Sequence, residues 1–193
     1  MDGRTDQALW DASVAGDADA FGELFTRHHE AVYTYCFRRV SSWASAEDLM
    51  STTFLETWRT RRPMTLDTGS LRPWLIGIAT RVAHRHHRSV ARQVGLAARV
   101  AGTTVSATQD PSDDIAARLD DERAMAEVLS VVATLPQREQ GVLAVCVFAG
   151  LDYASAAAAL GIPVGTVRSR LSRARQRLSK AAPHLQLLVT QHG

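Results

Sequence analysis

Residues 150–178 read "GLDYASAAAALGIPVGTVRSRLSRARQRL", and the organisation of the whole chain follows from how that stretch divides. Asp152 is placed to cap a short helix from Tyr153 to Leu160, because its carboxylate accepts the free amides of a first turn. Gly161 supplies the permissive backbone that a tight turn needs. Pro163 then opens a second helix through about Lys180, at a position where a missing N–H costs nothing. A short helix, a glycine turn and a longer basic helix are the outline of a helix-turn-helix, whose second helix enters the major groove of DNA.

The helical wheel divides the second helix into unequal faces. At about 100° per residue, Val164, Val167, Leu171, Ala174 and Leu178 share one stripe, which must pack on the rest of the domain. The opposite face carries Arg168, Ser169, Ser172, Arg173 and Gln176, all able to hydrogen-bond base edges or phosphates. Arg170, Arg175 and Arg177 flank the stripe and suit phosphates or intramolecular pairing. Residues 165–178 hold five arginines and no acid. A merely solvated amphipathic helix usually mixes both signs, so the basic helix reads as a nucleic-acid surface.

Working outward, apolar residues recur at three and four almost everywhere, and no alternating valine and threonine runs occur, so the fold is predicted to be all-α. The 193 residues have room for one large domain or two small ones. An early helical pair is expected over 17–40, with Phe21, Leu24, Phe25, Val32, Tyr35 and Cys36 as apolar positions. A helix from about Ala46 to Thr60 stops before Pro63. The loop "RPMTLDTGS" leads to a helix from about Leu71 to Ser89 that starts apolar and ends cationic. Residues 92–112, rich in Ala, Gly, Thr and Ser, read as a flexible linker between a first domain over 1–91 and a second over 113–193. In the second, Met125, Val128, Leu129, Val132 and Leu135 follow helical spacing, and another helix covers about 136–149. Gly141 inside it costs about 1 kcal/mol relative to alanine. Ten of the twelve aromatic residues precede position 75, so the first core is aromatic and the second aliphatic.

The net charge of +2 hides segregation. Residues 81–99 carry five arginines, three histidines and no acid; 110–127 carry seven acids against Arg118 and Arg123; 165–180 carry six basic residues and no acid. Such blocks point to separate surfaces with separate partners. Cys36 and Cys146 each stand alone in apolar helical patterns and read as reduced core residues. His84 and His87 share a face, but no third ligand is in view, and a basic helix end near phosphates explains the run better than a metal site. No stretch is long and apolar enough to span a bilayer, and no secretion-signal pattern is seen near the start, so a cytoplasmic location is expected. No nucleophile with its base and no phosphate-cradling glycine loop appears, so neither catalysis nor a cofactor is expected.

The segment "LPQREQGVLAVCVFAGLDYASAAAALGIPVGTVRSRLSRARQRL" resembles region four, the carboxy-terminal DNA-binding domain, of bacterial sigma factors of the extracytoplasmic-function (ECF) group. "SAEDLMSTTFLETWR" and "LRPWLIGIATRVAHRHHR" resemble that group's region two. The resemblance implies a dissociable, non-enzymatic subunit that binds core RNA polymerase through the β′ coiled coil and the β flap, together with promoter DNA and possible control by an anti-sigma factor. It assigns the minus-thirty-five element to Thr166, Arg168, Ser169, Ser172, Arg173, Gln176 and Arg177. It assigns the minus-ten element to loop 63–70, where a base is flipped, and to Arg81, Arg85, His86 and Arg88. It assigns polymerase contact to Asp48, Leu49, Thr52 and Glu56. Ser45 and Asp48 also have capping-box spacing, and Leu49, Phe54, Trp58 and Trp74 read more readily as core. The linker's Asp110, Asp113 and Asp114 would imitate RNA phosphates or simply lead into a helix N-terminus. The alternative to a sigma factor is a stand-alone helix-turn-helix regulator, which would bind its operator without polymerase.

Overall fold

The computed structural model describes residues 4–100 and 113–181, with side chains described for 4–93 and 116–181. Among them there are helices and no strands. The first module comprises α1 (Asp6–Val14), α2 (Ala18–Val40), α3 (Trp43–Arg59) and α4 (Arg72–Val100). The second comprises α5 (Asp113–Val132), α6 (Gln137–Leu143) running into a π-helical turn (Ala144–Phe148), α7 (Tyr153–Leu160) and α8 (Val164–Ala181).

Polar caps start α1, α2 and α3. Thr5 accepts from the Ala8 amide at 3.2 Å, Asp17 from Ala20 at 2.9 Å and Ser42 from Ser45 at 3.3 Å. Between the helices lies an aromatic core, with Trp10 edge-on to Trp74 at 5.1 Å and Phe37 stacked on Trp43 at 3.6 Å. A buried carboxylate ties three elements together. Asp6 accepts from Arg27 Nη1 (3.2 Å), His28 Nε2 (2.7 Å), Ser70 Oγ (3.2 Å) and the Leu71 amide (2.8 Å). Burial opposes its ionisation, but the Leu71 amide and then His28 and Arg27 outweigh that, holding Asp6 below the usual carboxylate range.

Several elements differ from expectation. The predicted helical pair over 17–40 is one helix, since no proline interrupts it, and its buried His28 is held by Asp6. The partner, α1, was not foreseen. The helix expected from Ala46 begins at Trp43, and since Ser42 is its cap, the Ser45–Asp48 capping box does not form. The helix expected to end near Ser89 continues to Val100, through good helix formers such as Ala91, Arg92 and Gln93. Residues 101–112 of the expected linker, with Asp110, lie outside the described residues, as do 182–193. The helix expected over 136–149 changes pitch at Ala144, where the Ala149 amide donates five residues back, to Ala144 O, at 3.1 Å.

The two modules pack against each other, and their buried residues form one contiguous cluster. Backbone meets backbone between α4 and α7: a Cβ on Gly77 would lie 2.5 Å from the Ala159 carbonyl oxygen. Glycine on α4 and an alanine-rich α7, with Ala156, Ala157 and Ala159 buried, let the two backbones meet. Across the same boundary Arg38 donates to Phe148 O (2.9 Å) and Arg72 to Ala149 O (2.6 Å), satisfying carbonyls where the π-turn ends. Glu122 of α5 accepts the Trp43 amide at 2.7 Å.

Candidate nucleic-acid and polymerase interfaces

The helix-turn-helix forms from the residues that predicted it. Asp152 Oδ1 accepts from the Ser155 amide at 2.7 Å, and Gly161 adopts φ +63°, the left-handed geometry that ends α7. Val167, Leu171, Ala174 and Leu178 are buried, anchoring α8 by about 1.5–3 kcal/mol for each large apolar side chain. Val164, placed by the wheel on the same stripe, is 37% exposed because it begins the helix and overhangs the core.

On the far side of α8, Arg168, Ser169, Ser172, Arg173 and Gln176 are exposed together, with Thr166 half-buried at their edge. Two of the arginines are braced. The Arg168 guanidinium lies 5.6 Å from the ring centre of Tyr153 on α7. Arg173 Nε donates to Ser169 O at 3.2 Å, which leaves its terminal nitrogens to make outward contacts. Arg177 is different: its Nε stands 3.5 Å from Oε2 of Glu139, a buried carboxylate on α6. Of the two roles expected for it, intramolecular pairing is the one visible here.

The minus-ten set is divided. Arg81, Arg85 and Arg88 of α4 line one cleft, in whose lining His86 of the same helix takes no part, and Arg81 also borders Gly77 and the Ala158–Gly161 end of α7. Arg85 forms an ion pair with Glu56 of α3, so residues expected in two different interfaces touch. His84 accepts from Gln137 of α6 at 2.9 Å, and His87 Nε2 donates to Arg39 O at 2.8 Å, giving each histidine its own partner. The loop over 63–70 is pinned by α1. Gln7 donates to Met64 O (3.0 Å) and accepts from the Leu66 amide (2.8 Å), and Trp10 Nε1 donates to Arg62 O (3.1 Å). Sequence reasoning missed these holders, since their partners lie more than fifty residues away.

On α3, Asp48 and Thr52 are exposed and Glu56 half-exposed along one face, while Leu49 is 3% exposed and faces the core. Between them Leu55 is 52% exposed, an apolar side chain on a polar face that the sequence did not single out. Phe54 is buried, and Trp58 and Trp74 pack against Phe21 and Trp10. Both cysteines are free and buried, and burial pushes their thiols up, Cys36 to about 12 and Cys146 to about 11, so they remain unreactive. Among the described residues no helix is long and apolar enough to cross a membrane.

Comparison with known proteins gives these faces a family. Sigma-70 region 2 matches residues 24–93, and Sigma-70 region 4 matches residues 125–178. The chain is 28% identical over 175 residues to the ECF RNA polymerase sigma factor BldN of Streptomyces coelicolor, covering 91% of this chain but 65% of that protein, just under two thirds of its length. It is 32% identical over 143 residues to the RNA polymerase sigma factor HrpL of Pseudomonas syringae pv. syringae, covering 74% of this chain and 76% of that one. In fold it is similar to CnrH, solved in complex with the cytosolic domain of CnrY, with a TM-score of 0.63 at 24% identity over 91% of this chain and 95% of CnrH. Two sigma regions matched in order along one helical chain, with relatives of the same kind, mean that the chain belongs to the sigma-70 family, in its extracytoplasmic-function group.

Proposed function

We propose that the chain is a promoter-recognition subunit that binds core RNA polymerase and directs initiation. The observation that carries this reading is the exposed face of α8, where Arg168, Ser169, Ser172 and Arg173 stand together over a buried apolar seam. These four read the minus-thirty-five element from the major groove, with Thr166 and Gln176 at the margins. A bidentate arginine–guanine contact discriminates by about 1–3 kcal/mol, enough to set promoter choice. Loop 63–70 and Arg81, Arg85, His86 and Arg88 face the minus-ten element, where unstacking a base costs a few kcal/mol that polar edge contacts offset. The outer face of α3, with Asp48, Thr52, Leu55 and Glu56, meets the β′ coiled coil, and the second module meets the β flap. Core polymerase and promoter DNA are therefore the partners, the family resemblance adds an anti-sigma protein, and the chain supplies binding energy with no covalent step.

The Arg85–Glu56 pair links the two interfaces of the first module. A surface ion pair contributes about 1 kcal/mol or less, so it exchanges readily. Polymerase contact at Glu56 releases Arg85 for DNA phosphate.

The test is transcription in vitro with purified core polymerase on a library of genomic promoters. Initiation at a defined set of start sites that requires this chain is the expected result; no initiation at any promoter contradicts the proposal. Tight operator binding in a gel shift without polymerase would instead favour the stand-alone regulator.

A further inference from the structure

Between the modules, α2, α4, the end of α5 and the start of α6 enclose a cleft of about 760 Å³. That volume lies in the range of small-molecule sites, about 300–1,000 Å³. Arg39, Arg81, Arg85, Arg88 and Arg138 line it, of which Arg85 is paired with Glu56; no lining residue is acidic, and Leu129 and Val132 give it an apolar floor.

Arg39 sets this cleft apart from a solvated basic surface. It is only 8% exposed, its Nε is buried without a hydrogen-bond partner, and no carboxylate pairs with it among the described residues. A guanidinium whose Nε is desolvated and which has no carboxylate beside it favours an anion that can replace its lost hydration. Its field is felt next door: burial first, and the charge of Arg39 second, hold His87 below the ordinary histidine value. His87 donates to the Arg39 carbonyl and supplies no anion.

We propose that this cleft binds a small phosphorylated anion of the nucleotide class, its phosphates on Arg39, Arg81, Arg88 and Arg138 and its base against Leu129 and Val132. Guanidinium forks match phosphate oxygens in bidentate pairs, and an apolar floor beneath them suits a planar ring better than a bare inorganic ion. Arg138 belongs to α6, and the other three arginines to α2 and α4, so the site is complete only while the modules are docked. A ligand that binds the docked form alone stabilises it by mass action. It also competes with DNA for Arg81 and Arg88, whose expected role in minus-ten contact is separate from this argument.

The experiment is calorimetric titration of the full chain with ATP, GTP, pyrophosphate and a short DNA single strand. One-to-one binding of a nucleoside triphosphate, tighter than pyrophosphate, is expected. Arg39→Gln and Arg138→Gln should each weaken it at least about tenfold, as loss of a charge-assisted contact implies. Arg138 is exposed, so its variant keeps the test decisive if Arg39→Gln fails to fold. Gly77→Leu, which prevents α4 from meeting α7, should abolish binding, and Arg123→Gln, on an exposed turn of α5 outside the cleft, should leave it unchanged. Absence of saturable nucleotide binding, binding indifferent to both cleft variants, or Arg39-dependent binding of the DNA strand alone would overturn the proposal.

Discussion

The first module is held by aromatic rings around a buried carboxylate, the second by alanine, valine and leucine around a glycine turn, and their functional faces differ in parallel. On α4 one of the expected DNA contacts is engaged already, Arg85 with Glu56. On α8 the expected base readers are exposed, and the bracing of Arg168 and Arg173 comes from within their own module. The contrast teaches that a polar knot positions a loop and a helix start against each other, whereas an apolar seam only has to present one helix face. For the expected DNA contacts, Arg85 would have to exchange Glu56 for phosphate, whereas Arg168 and Arg173 would need no such exchange.

Replacing Asp6 with Asn attacks the first module where it is most specific. It leaves Arg27 and His28 facing a neutral amide and weakens the hold on Leu71, and should cost about 3 kcal/mol. Denaturant unfolding followed by tryptophan fluorescence measures this, since Trp10 lies on α1. Because the folded Asp6 titrates below its unfolded value, its stabilisation is present above the usual carboxylate range and is lost as pH falls through the folded value. Asn at position 6 should therefore flatten the acid limb of the stability profile; an unchanged acid limb would remove Asp6 from the centre of the knot.

A smaller effect is expected in the second module. Arg177→Ala strips the ion partner from buried Glu139 and should destabilise α6 and α8 by about 1–2 kcal/mol, with Glu139→Gln in the same chain restoring part of the loss. If Arg177→Ala instead leaves stability untouched and lowers DNA affinity on every sequence equally, the residue is a phosphate binder and the pair is incidental. Smallest is Gly141→Ala: an added Cβ meets nothing within 4 Å, so the change should stabilise α6 by about 0.5–1 kcal/mol through helix propensity alone.

The same contrast explains what the sequence could reveal. The α7–Gly161–α8 unit is legible because its determinants are local: a cap three residues from its amide, a glycine at φ +63°, and a stripe recording burial at helical spacing. The Asp6 knot is illegible because its key partner, the Leu71 amide, lies 65 residues away and leaves no periodic mark. Gly77 reads as an ordinary weak point in the apolar run "LIGIA" until Ala159 is found against it. The split within the recognition helix was half legible: the wheel separated Arg168 and Arg173 from Arg177, but only the buried Glu139 on α6 says what Arg177 does.

The central claim is that the open face of α8 reads the minus-thirty-five element of the promoter. Run-off transcription with core polymerase tests it most directly, using wild-type chain and Arg173→Ala on one promoter with its upstream element intact or scrambled. The account predicts that Arg173→Ala lowers initiation on the intact element by about 5- to 150-fold, the equivalent of about 1–3 kcal/mol, and barely alters the low activity on the scrambled one. Equal loss on both templates would contradict it.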